Sequence, residues 1–61
     1  MANARELADR LRQVAIDIAE LRQQTVKYGV QVRDPYGELL HAEGLVLSAV
    51  GNLRRRAESE A

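Results

Sequence analysis

Apolar residues in the first half of the chain follow a heptad pattern. They recur at alternating spacings of four and three residues. The row consists of Leu7, Leu11, Val14, Ile18 and Leu21. This alternation is typical of the seam of a coiled coil and predicts a helix over residues 3–27.

The heptad positions indicate that this helix has two neighbours. With Leu7 at position d, Leu11 and Ile18 lie at position a, and Ala8 and Ala15 widen the apolar stripe at position e. The opposite flank of the stripe is polar. A stripe wider than a two-stranded seam favours packing inside a bundle.

A break in the pattern predicts a loop over residues 28–34. Gly29 fits the position just past a helix end, where positive φ angles are common. Asp34 and Pro35 suit the first residues of a second helix. They also suit a type I turn that would join two strands of a β-hairpin across residues 26–41. Because an isolated two-stranded hairpin is marginal in water, the helix is favoured.

The second half of the chain predicts a helix over residues 35–58. Its main apolar stripe consists of Leu39, Ala42, Val46, Ala49 or Val50, Leu53 and Ala57. Three further leucines, Leu40, Leu45 and Leu47, extend apolar character around much of the circumference. Such a helix needs partners on more than one side. Gly44 and Gly51 would let another helix approach closely.

Two helices joined by a short loop predict an all-α antiparallel hairpin. A single hairpin cannot cover the second helix, so we expect a homodimer that forms a four-helix bundle. The expected oligomer interface consists of Leu7, Leu11, Val14, Ile18, Leu21, Leu39, Val46, Val50 and Leu53. A different protein partner could cover the same surface instead.

Composition narrows the function classes. The chain has 61 residues, no cysteine and a formal net charge of zero, and 46% of its residues are hydrophobic. Disulfides and thiolate metal sites are therefore excluded. Indiscriminate binding to polyanions is not expected either, because it would require an excess of basic residues. No signal peptide and no segment long enough to span a bilayer is present, so we expect a cytoplasmic protein without a membrane partner.

Residues that could carry chemistry are few. Glu38 and His41 form a Glu-x-x-His pair, which is a ligand motif of di-iron bundles. The same spacing also arises by chance on a polar helix face, and no further carboxylate lies on the predicted seam. We therefore expect no metal, no cofactor and no enzymatic activity.

One basic cluster, Arg54, Arg55 and Arg56, lies near the end of the second helix. There the positive charge complements the helix dipole.

The sequence as a whole predicts a protein-interaction module, such as an adaptor, chaperone or regulator, that acts as a homodimer. The alternative is a nucleic-acid-associated regulator that uses Arg54–Arg56.

Overall fold

The computed structural model of the chain describes residues 2–60, so Met1 and Ala61 of the predicted 1–61 domain lie outside the described residues. Helix α1 spans Ala4–Gln24, a short 3₁₀ helix spans Val26–Tyr28, and helix α2 spans Pro35–Glu60. Residues 2–60 contain no strand. The predicted all-α architecture with two helices is confirmed, and the β-hairpin across residues 26–41 is wrong.

The two helices pack against each other in opposite directions. Arg5 and Ala8, near the start of α1, line one surface pocket together with Arg54 and Ala57, near the end of α2. At the other end of the hairpin, Arg22 of α1 pairs with Glu43 of α2.

Helix α1 begins at a side-chain cap. The Asn3 Oδ1 atom accepts a hydrogen bond of 2.9 Å from the backbone N–H of Glu6. This bond satisfies one of the backbone donors that have no partner in the first turn. The carboxylate of Glu6 also lies in the first turn, where it complements the positive end of the helix dipole.

Helix α1 ends three residues earlier than its sequence predicts. The Thr25 hydroxyl donates to the carbonyl of Arg22 at 2.7 Å, and the backbone N–H of Thr25 donates to the same carbonyl at 3.0 Å. These i→i+3 bonds tighten the last turn and lead into the 3₁₀ helix. Gly29 then adopts φ 111° and ψ 164°, a region that is essentially restricted to glycine.

The loop before α2 is held by a reciprocal pair of hydrogen bonds. The Asp34 Oδ2 atom accepts from the backbone N–H of Gln31 at 2.9 Å, and the Asp34 N–H donates to the Gln31 carbonyl at 3.0 Å. The Asp34 carboxylate therefore bonds back to the loop, although Pro35 occupies the first helical position as predicted.

The buried side chains among residues 2–60 are all small. Ala4, Ala8, Ala15 and Val50 are the buried hydrophobic residues. The Cα extents are 44 × 15 × 13 Å, so the molecule is a single layer of two helices. One layer cannot cover both of its broad faces, because a helix stripe needs a packed layer against it.

Candidate functional site

Helix α2 packs against the a and e positions of the α1 heptads and leaves the d positions outside. Ala8 and Ala15, at position e, are 1% and 3% exposed. We call the d-position residues Leu7, Val14 and Leu21 the exposed row; they are 42%, 44% and 54% exposed. Alanines at the seam bring the helices close together, and this places the larger d side chains on one side of the contact.

Two residues of the exposed row, Leu7 and Val14, border an open apolar groove of about 590 Å³ between the helices. Leu7, Leu11 and Val14 of α1 form one wall, and Leu53 of α2 forms the other. Arg10 supplies a charged rim. Such a surface is typical of a protein-binding site with an apolar centre and a polar edge.

A second groove, of about 450 Å³, lies on the opposite side of the hairpin. Ile16 and Leu47 contribute its exposed apolar side chains, at 40% and 47% exposure. Arg12, Glu20 and Gln23 surround them with charged and polar groups. The first groove is therefore the more hydrophobic of the two candidate surfaces.

A polar cluster links the two helices near the loop. The Arg22 Nε atom donates to Glu43 Oε1 at 3.0 Å, and Arg22 Nη1 donates to the Tyr36 hydroxyl at 2.9 Å. The Arg22 guanidinium carbon also lies 5.1 Å from the centre of the Tyr36 ring, within cation–π range. Because the Arg22 and Glu43 side chains are only 14% and 18% exposed, the pair is largely shielded from solvent.

The electrostatics of this cluster hold Arg22 in its charged form. Burial of the guanidinium opposes the charge, but the hydrogen bond and negative charge of Glu43, with a smaller contribution from Tyr36, raise the pKa of Arg22. Sequence reasoning did not find this cluster. The sequence signal for it was the position of Arg22, seven residues after Ala15. Both residues occupy heptad position e, on the side of α1 that faces α2.

Apolar side chains also project at the tip of the hairpin. Tyr28, Val30 and Val32 are 64%, 59% and 88% exposed. The loop that carries them is nevertheless ordered by the bonds between Gln31 and Asp34. The tip is thus a third exposed apolar feature, separate from the exposed row and from the groove of Ile16 and Leu47.

The second-helix residues of the expected interface lie along the contact with α1. Val50 is 4% exposed, and Leu39, Val46 and Leu53 are half-buried. On α1, Leu11 and Ile18 are half-buried as well. The structure therefore places these residues inside or beside the hairpin contact, whereas the exposed row is available to another molecule.

The three arginines near the end of α2 are all exposed and diverge from one another. Consecutive residues of an α-helix point about 100° apart. Arg54 lines a pocket with Arg5 and Asp9, whereas Arg55 and Arg56 line a different one. The Arg55 guanidinium donates a hydrogen bond to Asn52. The helix thus spreads the cluster over several directions.

Glu38 and His41 are both exposed on α2. Within residues 2–60, no group of three or more His, Asp or Glu side chains is arranged to hold a metal ion. The hydroxyls of Ser48 and Ser59 are on exposed residues, and that of Thr25 is bonded to the α1 backbone.

No helix in the described part of the chain has the length and hydropathy to cross a bilayer.

The fold and its surfaces define a class of protein, a two-helix hairpin with two open grooves, of which the one beside Leu7 and Val14 is the more apolar. No protein-family model, curated protein sequence or solved structure matches the chain.

Proposed function

We propose that the chain is a non-enzymatic protein-interaction module of the cytoplasm that acts as a homodimeric four-helix bundle. One observation carries the proposal: among residues 2–60 the buried hydrophobic residues are three alanines and one valine, while Leu7, Leu21, Leu45 and other large side chains are exposed. A stable domain normally buries its large apolar side chains.

The overall dimensions support association with a further layer of helices. The Cα radius of gyration is 13.8 Å, whereas a compact chain of this length would have about 10.5 Å and one of twice this length about 13.7 Å. The chain is therefore as extended as a globular protein with twice its number of residues.

The accessible surface of the chain is likewise larger than that of a compact monomer. The chain exposes 4779 Å², compared with about 3,950 Å² for a compact monomer of this mass. The excess of about 800 Å² equals the area that each partner contributes to a standard protein–protein interface. Covering one broad face with a second hairpin would remove an area of this size.

Sedimentation equilibrium over a wide concentration range, with far-UV circular dichroism on the same samples, tests the proposal. We expect a dimer with high helical content. A helical monomer at all concentrations would overturn the homodimer. A poorly helical monomer would overturn it too, and would show that the hairpin folds only on a different protein.

The alternative function, nucleic-acid regulation through Arg54–Arg56, has its own test. Replacing the three arginines with glutamine should leave the dimer intact. If the unchanged chain bound DNA or RNA in a salt-dependent manner and the variant did not, the alternative would be favoured.

A further inference from the structure

The groove beside the exposed row is open and apolar, and the charges along its edge indicate which molecule binds there. We infer that a second copy of the chain docks on this groove with its own α1 antiparallel to the first. The two-fold axis passes beside Val14. This inference rests on the proposed homodimer and specifies its interface.

The spacing of the exposed row makes it self-complementary. Leu7 and Leu21 lie at equal distances, seven residues, on either side of Val14. In an antiparallel pair centred there, Leu7 faces Leu21 of the second copy and Val14 faces its own counterpart. Each of these side chains is about half exposed in the single hairpin, so the contact would bury area that α2 leaves uncovered.

Charges on the rim of the row select the antiparallel direction. Arg10 and Asp17 occupy the g positions of the α1 heptads. They lie next to the exposed row, on the side away from the contact with α2. In an antiparallel pair, g residues of the two helices face each other, and Arg10 lies within one residue, about 1.5 Å along the axis, of the level of Asp17 in the second copy. The symmetric dimer therefore has two such pairs of opposite charge.

A parallel arrangement of the same row would not form these pairs of opposite charge. In a parallel two-fold pair, the g flank of one helix faces the opposite flank of the other, so Arg10 and Asp17 of the two copies would lie on different sides of the contact. The net charge of zero adds no general repulsion between copies. The area argument is also satisfied, because the excess surface of each chain matches what one partner contributes to a standard interface.

The opposite groove lacks these features. Its exposed apolar residues, Ile16 and Leu47, come from different helices. Leu47 lies seven residues after the exposed Leu40, but Ile16 has no apolar residue at heptad spacing on either side, so α1 presents no repeating row there. Arg12 and Glu20 surround these side chains, whereas Arg10 is the one charged residue that lines the first groove, so a second copy at the opposite groove would have to desolvate more charge. We therefore assign the dimer contact to the exposed row.

Single-cysteine variants test the assignment without background, because the chain has no cysteine. Val14→Cys places a thiol on the expected axis, and Ile16→Cys is the matched control, since the two positions are 44% and 40% exposed on opposite sides. Under oxidised glutathione we expect Val14→Cys to form a covalent dimer at least about tenfold faster, because the two thiols are held at high effective concentration.

Each outcome of this experiment has a defined meaning. Circular dichroism and sedimentation of both reduced variants first establish their fold and mass. Equal rates, or faster linkage of Ile16→Cys, in a chain that sediments as a dimer would overturn the assigned face and leave the homodimer standing. A chain that sediments as a monomer would overturn both.

Charge reversal tests the direction of pairing. Arg10→Asp alone, or Asp17→Arg alone, should raise the dimer dissociation constant by about fivefold or more at low salt, because two attractive pairs become repulsive. The double variant Arg10→Asp/Asp17→Arg restores opposite charges and should return the constant to within about twofold. If the double variant dimerised no better than the single ones, the antiparallel pairing would be wrong.

Discussion

Two glycines of α2 differ in what surrounds them, and this sets opposite effects for the same substitution. A Cβ atom at Gly37 would lie 2.6 Å from the Cα atom of Val32 and 2.7 Å from its carbonyl carbon. These are backbone atoms of the loop, which cannot move without disturbing the bonds between Gln31 and Asp34. At Gly44 nothing lies within 4 Å of the added atom.

We therefore expect Gly37→Ala to lower the free energy of unfolding by about 1–3 kcal/mol, as for other overpacked sites. Gly44→Ala should raise it by about 1 kcal/mol, since alanine is the better helix former. Urea unfolding of the two variants measures both changes. A loss of dimer mass in Gly44→Ala would instead show that another helix packs on this glycine.

The ion pair between Arg22 and Glu43 predicts a non-additive pair of substitutions. Glu43→Leu leaves the Arg22 charge in a largely shielded position without its carboxylate, so the melting temperature should fall. Replacing both residues by leucine removes the unpaired charge and should recover most of the loss. Thermal unfolding of the single and double variants gives the coupling. If the double variant melted below Glu43→Leu, the pair would not be coupled as the geometry indicates.

The raised pKa of Arg22 also fixes the sign of its pH dependence. A group whose pKa is higher in the folded state stabilises the fold below its ordinary pKa and loses this contribution as the pH rises through the raised value. Because the ordinary pKa of arginine already lies far above neutral pH, the contribution is constant across neutral pH.

At the scale of the helix, the cap of α1 depends on a single side chain. Asn3→Ala removes the acceptor of the Glu6 N–H and should lower the free energy of unfolding by about 1 kcal/mol. Asn3→Ser retains a cap and should change it much less. Chemical denaturation of the two variants, followed by circular dichroism, compares them. Equal losses would mean that the hydrogen bond contributes little and that the bulk of Asn3 matters instead.

The two helices differ in how well their ends follow from local sequence. Pro35 begins α2 as predicted, because its fixed φ suits the first helical position and it lacks an N–H to satisfy. The end of α1 at Gln24 was not predicted, because residues 25–27 are acceptable in a helix. There the Thr25 hydroxyl competes for the Arg22 carbonyl, and this competition depends on the local geometry.

At the scale of the whole molecule, the thin shape predicts that stability depends on protein concentration. For a dimer that unfolds to separate chains, a tenfold increase in concentration should raise the melting temperature by about 5 °C. The measurement is a series of thermal melts across two decades of concentration. A melting temperature independent of concentration would indicate that the hairpin is stable alone, despite a core of alanines and one valine.

The candidate surface was predicted in part. Heptad spacing alone placed Leu7, Val14 and Leu21 on one stripe with Leu11 and Ile18, because side chains seven residues apart lie almost above one another on a helix. That spacing could not say which side of the stripe α2 would take. The small e-position residues Ala8 and Ala15 decided this, since they let α2 approach more closely than the d side chains would.

The sequence by itself determined the two helices, the loop that turns the chain back, and the stripes of α2 that need covering. Those features arise from periodicity and from the local chemistry of Asn3, Gly29 and Pro35, which act over a few residues. Only the tertiary structure decided that α1 contacts α2 through positions a and e, that Arg22 meets Glu43 and Tyr36, and that the exposed row stays open. These depend on how closely two helix surfaces approach, a property of residues distant along the chain.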